Sequence, residues 1–314
     1  MLTGNTANSN IGTGGRGEDA NDWDEWFGGS GGDGYSYGIY LHSSSNCMLT
    51  GNTANLTSGR GGRGGRGQYG GSGGDGGNGR GYGIYSHSSS NCMLMNNSAN
   101  SINGGGGGGY GIHDADGGDG GDGYSYGIRL SSSSNCMLVS NTANSTSSNG
   151  GSGGSGGLGS GGSDGGDGYG CGYGIHLSSA SSDNTLYHNN LANNTPHNAY
   201  DTSTNAWDSG SAGNYHSGYT GTDNDTDGIG DTHHPVPGGT STDRFPLMQP
   251  WTGGTSLKGD LNCDDRITPA DAAIALQLAA SGAQNPAADV NDDRRITSLD
   301  ALMILQAAAG RIEL

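Results

Sequence analysis

The sequence predicts an all-β solenoid of stacked, near-identical coils, followed by a small helical module. Three observations lead there: a segment that recurs about every 45 residues, glycine tracts with a period of three, and a duplicated twelve-residue acidic loop near residue 300. Of 314 residues, 68 are Gly and only 30% are hydrophobic. That is too little apolar side chain for an ordinary two-layer domain of this length. Without a period it would read as low complexity, so the repeat decides the class. The formal net charge is −18, from 30 acidic against 12 basic residues. This argues against nucleic acid as a partner, because phosphate contacts need Lys and Arg clusters. No stretch approaches the roughly 20 apolar residues of a membrane span.

Tyr-Gly-Ile-Tyr-Leu-His-Ser-Ser-Ser-Asn-Cys-Met-Leu runs from Tyr37 to Leu49, and close copies start at Tyr82, Tyr126 and Tyr173. The tyrosines step by 45, 44 and 47 residues, and Asn-Thr-Ala-Asn recurs at Asn5, Asn52 and Asn141. Each unit reads as a short strand, a Ser/Asn turn and a second short strand. Ile39, Leu41, Cys47 and Leu49 alternate as inward candidates. One unit cannot bury so few apolar residues, but stacked units form continuous columns along a solenoid axis. Met1–Asn8 repeats Met48–Asn55 residue for residue. The reading is therefore of a chain that begins inside a repeat, as a mature fragment or a truncated frame.

The pattern resembles the right-handed parallel β-helix repeats of NosD-like and sugar-hydrolase proteins, many of them tandem arrays in archaeal surface proteins. The resemblance covers the repeat halves within residues 1–200 and implies that fold. The departure is length: a family coil takes about half the period seen here, and the excess is a glycine tract between coils.

Within residues 60–78, Arg60, Arg63, Arg66, Tyr69, Ser72, Asp75 and Asn78 stand three apart on a glycine background. Shorter runs are Phe27, Ser30, Asp33; Asp116, Asp119, Asp122; and Ser152, Ser155, Leu158. A helix of three residues per turn puts every third side chain on one face and bare glycine on the others. This is a polyglycine-II arrangement, with polyproline-II geometry. Such a strand has no internal hydrogen bonds and must pair with neighbours or remain solvated; the alternative is flexible loops. Gly28–Ser36 and Gly117–Ser125 also fit the nonapeptide of RTX calcium rolls, but as isolated copies they lack the adjacent turn that each calcium needs. Asp19, Asp22, Trp23, Asp24, Glu25 and Trp26 form an acidic-aromatic tip, read either as a sugar or interface platform or as packing over the insert base.

Of five cysteines, Cys47, Cys92 and Cys136 share one repeat position. In-register stacking brings them near disulfide distance in a poor geometry, so they read as a buried thiol column. The copper label common among NosD-like proteins finds no Cys/His cluster to carry it.

Residues 213–248 contain Asp223, Asp225 and Asp227 at alternate positions, then Gly228 and Asp231. Alternating carboxylates before a glycine turn converge on an oxygen-lined cavity suited to a hard divalent cation. The segment looks like the one closing NosD-like helices and like thrombospondin type-3 calcium loops.

Asp260, Asn262, Asp264, Arg266, Thr268 and Asp271 recur 29 residues later as Asp289, Asn291, Asp293, Arg295, Thr297 and Asp300. Both sets follow the EF-hand spacing, the arginines ligating through main-chain carbonyls. Each loop enters one helix, capped by Thr268 or Thr297 and followed by Gly282 or Gly310. Ile274, Leu278, Leu302 and Leu305 are the expected apolar faces. Two loop–helix halves without entering helices resemble the type I dockerin fold, over about 257–311. The resemblance implies one Ca2+ per half and docking onto a cohesin, with Pro269, Ala270, Ser298 and Leu299 at the positions that often meet it. The departure is loop position 6, Asp265 and Arg294 where Gly is usual. The chain thus divides into 1–212 (repeats with inserts), 213–256 (closing segment and linker) and 257–314 (dockerin).

The function expected is non-catalytic: a calcium-stabilised extracellular or cell-surface structural or adhesive protein, docked to a cohesin or self-associated into a filament. The alternative is a polysaccharide-binding or -degrading component of a cohesin–dockerin complex. β-Helix lyases and hydrolases need clustered Asp, Lys or Arg on neighbouring coils, whereas these strands offer Ser, Asn, Thr and Tyr and no Lys precedes Lys258. Asn55, Asn96, Asn144, Asn193 and Asn224 head glycosylation sequons.

Overall fold

A computed structural model describes residues 1–20, 26–105, 110–111, 114–157, 161–178, 180–253, 258–262, 266–281 and 287–314. Asp22, Trp23, Asp24, Glu25, Leu158, Cys263, Asp264, Asp265 and Gly282 lie outside the described residues. The long strands Gly34–His42, Gly79–His87, Gly123–Ser131, Gly170–Leu177 and Pro196–Asp201 form one parallel sheet. Register keeps repeat positions level: Ile39 pairs Ile84, Ile84 pairs Ile128, Ile128 pairs Ile175, and Ile175 pairs Ala199. The Cys-Met-Leu segments supply a second parallel sheet from Met48–Thr50, Met93–Met95, Met137–Val139 and Thr185–Tyr187. A third, from Ile11–Thr13, Ser58–Arg60, Asn103–Gly105 and Ser147–Asn149, was not anticipated. Its Ser-Gly-Arg and Asn-Gly-Gly strands carry no apolar alternation; the repeat alone places them side by side.

Each coil therefore has three sides, and the glycine insert leaves after the third. One step confirms that the insert accounts for the long period. Tyr173 pairs with His197, a step of 24 residues, across a coil without a glycine tract.

The interior is a set of columns. Ile84, Ile128 and Ile175, then Leu49, Leu94, Leu138 and Leu186, then Ala54, Ala99 and Ala143 are buried in one cluster. Leu41 and Cys47, both expected inside, are only partly buried, while their counterparts Leu130, Leu177, Cys92 and Cys136 are fully so. The described cysteines are free, and Cys92 and Cys136 each donate Sγ–H to a carbonyl, of Ser90 and Ser134, at 3.4 Å.

An asparagine ladder runs beside this core. Asn52, Asn97, Asn141 and Asn189 each donate Nδ2 to the Oδ1 of the next, at 2.8–3.0 Å, ending on Asn214. Asn214 in turn donates to Asp243 at 3.2 Å. All six are buried, and the same oxygens accept main-chain amides, such as Asn97 N to Asn141 Oδ1 at 3.0 Å. Buried corner amides that no strand partner satisfies are thereby paired.

The glycine tracts are hydrogen-bonded to one another, so the loop alternative is overturned for their described residues. Gly14 and Gly17 donate to Arg60 and Arg63, Gly62 and Gly65 to Gly32 and Gly29, and Gly74 and Gly77 back to Gly65 and Gly62. The outgoing and returning halves of each insert thus form two bonded layers. Every third residue faces away from the opposite layer, and on the returning strands several of these amides are met by a carboxylate or carboxamide one rung away. Asn78 N donates to Asp33 at 2.8 Å, Asp119 N to Asp75 at 3.0 Å, Tyr169 N to Asp122 at 2.9 Å and Ser163 N to Asp116 at 2.7 Å. The Gly-Gly-Asp aspartates therefore serve as amide acceptors between rungs, not as a calcium roll.

The amide of Arg66 and the Arg16 guanidinium hold Asp19 below the usual carboxylate range; the amide and hydroxyl of Ser163 do the same for Asp116. Groups with depressed folded pKa values stabilise above their unfolded pKa, about 4, and that contribution is lost as pH falls through the folded value. Amide exchange should show Arg66 and Ser163 protected at pH 5 and losing that protection only once the pH has fallen below the ordinary carboxylate value of about 4. Unchanged protection at the lower pH would show that these carboxylates do not hold the rungs.

Candidate metal centre

The two halves of the C-terminal module are built alike. Helix α1, Pro269–Ser281, starts where Thr268 Oγ1 accepts the Ala270 amide at 3.2 Å. Helix α2, Ser298–Ala308, starts in a capping box between Thr297 and Asp300. Asp271 Oδ1 accepts the amides of Leu261 at 2.8 Å and Asn262 at 3.1 Å, and its Oδ2 accepts Thr268 N and Oγ1 at 2.8 and 3.0 Å. Asp300 repeats this with Val290 N at 3.1 Å and Thr297 N and Oγ1 at 2.8 and 3.0 Å. The last carboxylate of each loop thus fastens the loop to its helix.

In the second loop Asp289 accepts the amides of Asp293 at 3.0 Å and Arg294 at 2.7 Å, and Asp293 accepts that of Arg295 at 2.8 Å. Arg294 adopts φ +65°, the left-handed turn for which Gly is the usual residue, so the loop reverses there despite the Cβ. Asp289, Asn291, Asp293, Thr297 and Asp300 present only oxygen donors, the set a hard dication takes. In the first loop Asp260, Asn262 and Asp271 are buried, Arg266 is exposed and Asp264 lies outside the described residues. Asp271 and Asp300 are 0% exposed and make no ion pair among the described residues. A buried carboxylate with only neutral donors is costly, and a calcium ion in each loop would supply the missing charge.

Ala272, Ile274, Ala275, Leu278, Ala301 and Ile304 form the module's core with Leu261 and Val290. Ile274 and Leu278 face inward as expected, but Leu302 and Leu305 are 48% and 44% exposed. Helix α2 is apolar almost all round, so periodicity could not choose its face; packing against α1 selects Ala301 and Ile304. Pro269, Ala270, Ser298 and Leu299 are all exposed.

The module rests on the solenoid. Met48 and Met93, the outward row of the second sheet, join its core cluster, and Tyr187 Oη donates to the Asn262 carbonyl at 3.0 Å. Trp251 of the linker stacks on His188 at 3.6 Å. A cavity of about 560 Å³ lies at this junction, lined in part by Asp227, Gly228, Trp251 and Arg266. Sequence pattern gave no sign of this seat beyond the regular spacing of Met48, Met93 and Met137.

In the closing segment Asp223, Asp225 and Asp227 bring one carboxylate oxygen each within 4.8 Å of the others. Gly228 turns at φ +88° and donates its amide to Asp223 Oδ2 at 3.0 Å. Asp223 Oδ1 is buried with no hydrogen-bond partner among the described residues, an orphaned oxygen that a cation would satisfy. Asp231 stands apart from this trio: its carboxylate accepts the amide of Asn224 at 2.9 Å and the side-chain Nδ2 at 2.5 Å. Among the described residues, these three aspartates are the one convergent group of three or more His, Cys, Asp or Glu. Of the sequon asparagines, Asn96, Asn193 and Asn224 are exposed, while Asn55 and Asn144 are half-buried and accept the amides of Asn100 at 2.8 Å and Ala192 at 2.8 Å.

No described helix is long and apolar enough to cross a membrane. No curated protein matches the chain. Residues 168–221 match the family described as periplasmic copper-binding protein (NosD), and residues 258–307 match the dockerin type I domain. Parallel sheets with this register and paired EF-type loops thus belong to a chain that carries a NosD domain and a type I dockerin domain.

Proposed function

We propose that this is a non-catalytic, calcium-stabilised extracellular or cell-surface scaffold that docks to a cohesin through its C-terminal module. In this reading residues 1–212 form a right-handed parallel β-helix with polyglycine-II inserts. Residues 213–256 close it with an acidic calcium loop at Asp223, Asp225 and Asp227, and residues 257–314 dock. The observation that carries the reading is the paired loop closure by Asp271 and Asp300 beside exposed Pro269, Ala270, Ser298 and Leu299. Calcium would be held by the oxygens named above and by the carbonyls of Arg266 and Arg295. One ion in each loop would tie it to its helix and fix the angle at which the exposed residues meet a partner. The three-sided coil is a rigid spacer for that contact, because each rung is bonded to the next on every side.

Calorimetry of the full chain against a type I cohesin tests this. Binding is expected in calcium and not in chelator. Leu299→Asp should abolish it while the helical signal persists. A folded, calcium-loaded chain that ignores cohesin and cleaves a polysaccharide would overturn the proposal in favour of a carbohydrate-active component.

A further inference from the structure

The two outer faces of the glycine layers carry opposite charge at the same spacing. Arg60, Arg63 and Arg66 lie on the outgoing strand of the second insert, all exposed, with Arg16 on the rung beside them. These four are a third of the 12 basic residues in a chain of net charge −18. Arg16 pairs with Asp19 at 2.6 Å, and Arg63 lies over the Tyr110 ring at 5.1 Å. Arg60 and Arg66 make no ion pair among the described residues. On the returning strands, Asp75, Asp116 and Asp119 are exposed and Asp33 and Asp122 border them.

Bonds between the layers, Gly74 to Gly65 and Gly77 to Gly62, turn the arginine row and the aspartate rows to opposite sides. The inward positions Gly61, Gly62, Gly64 and Gly65 are closed to any side chain. A Cβ on Gly62 or Gly65 would lie 1.9 or 1.7 Å from a carbonyl oxygen of the first insert, and one on Gly61 or Gly64 would lie 1.7 Å from a carbonyl of the returning strand. On these strands of the second insert the outward third position is the one free to vary. It carries Arg60, Arg63 and Arg66 on the outgoing side and Asp75 on the returning side, with Asp116 and Asp119 on the next rung.

We infer that the arginine face of one molecule docks on the aspartate face of a second copy. Both faces derive from the same three-residue turn, so their charges recur at the same interval, about 9 Å along the strand. Across the strands both follow the same rung spacing. Each row of positive charge therefore meets negative charge without adjustment of the backbone. Asp75, Asp116 and Asp119 each spend one oxygen on neighbouring donors and keep the other for a guanidinium. Asp33 and Asp122 instead use both oxygens within the molecule, Asp33 on the Asn78 amide, Tyr35 and Arg80, and Asp122 on the Tyr169 amide and Tyr124. The contact uses different surfaces on the two partners, so it leaves one face free on each and adds further copies, into a ring or an open filament according to the rotation per step. The overall negative charge opposes approach, but beyond about 10 Å it is screened at 0.1 M salt. This inference rests on the insert layers and not on the dockerin reading.

Sedimentation velocity of the full chain at 0.1 M salt tests it, in calcium and in chelator. The weight-average mass should rise with protein concentration in both, and fall to the monomer at 0.5 M salt. The triple variant Arg60→Gln, Arg63→Gln, Arg66→Gln should remain monomeric at 0.1 M salt with unchanged circular dichroism and melting temperature. The corresponding triple Lys variant should still associate. A wild-type chain that stays monomeric throughout, or a Gln variant that associates equally, overturns the inference. Association lost in chelator assigns the contact to the calcium module and overturns it too. A chain that stays monomeric but binds alginate through these arginines would make the face a polyanion site and also overturn self-docking.

Discussion

Replacing Asp300 with Ala is expected to unfold the C-terminal helical module and abolish calcium uptake by its second loop. Asp300 is 0% exposed, and it accepts Val290 N, Thr297 N and Thr297 Oγ1. Its loss leaves two amides and a hydroxyl without this partner. Each buried orphan costs about 1–3 kcal/mol, and the lost helix cap adds roughly 1 kcal/mol. A module of this size holds only about 5 kcal/mol of stability or less. Asp300→Asn keeps the shape of the acceptor but removes charge, so it should retain helicity with weakened calcium affinity. Far-ultraviolet circular dichroism during a calcium titration separates the two variants. Full helicity and unaltered calcium stoichiometry in Asp300→Ala would falsify the assigned role.

The parts of this molecule that were legible in the sequence are those where one residue type must recur. Tyr37, Tyr82, Tyr126 and Tyr173 marked the long sheet because identical positions stack, and their rings do so at 4.9–5.5 Å. The paired loops were legible because the same oxygen-bearing residues recur at one spacing 29 residues apart. Tertiary choice was not legible. Helix α2 offers Leu299, Leu302, Ala301, Ile304 and Leu305, and hydropathy cannot say which of them meets α1. Asp231 fitted the acidic pattern of its loop, yet it lies outside the convergent trio and one of its oxygens accepts from Asn224. The asparagine ladder was visible as a repeated Asn-Thr-Ala-Asn, but its purpose appears only when the corner amides are seen to lack strand partners. The buried acids Asp201 and Asp243 belong to no repeat. Asp201 accepts Asn205, Trp207 and Ser241 at 3.0, 2.9 and 2.7 Å, and Asp243 accepts His216 at 3.3 Å. Only the closing of the coil stack brings those donors to them.

Gly62→Ala is expected to lower the melting temperature strongly while Gly15→Ala leaves it unchanged or slightly raised. The two glycines sit in neighbouring outgoing strands, Gly15 in the first insert and Gly62 in the second. A Cβ on Gly62 would lie 1.9 Å from the Gly15 carbonyl oxygen, whereas a Cβ on Gly15 meets nothing within 4 Å. The obstacle at Gly62 is main chain, so it cannot rotate away as a side chain would. The strand cannot shift either: Gly62 donates to Gly32 and accepts from Gly77, and moving off one neighbour breaks the bond to another. Overpacking in an ordinary core costs about 1–3 kcal/mol, and this rigid case belongs at or above the upper figure, a fall of roughly 6–12 °C for a domain of this size. At Gly15 the only effect is on the unfolded chain, a stabilisation of about 0.4–1 kcal/mol. Were the tracts solvated loops, both substitutions would act through the unfolded chain alone and melt alike. The difference between the two variants therefore measures the packing of glycine against glycine, on which the rigidity of both charged faces depends.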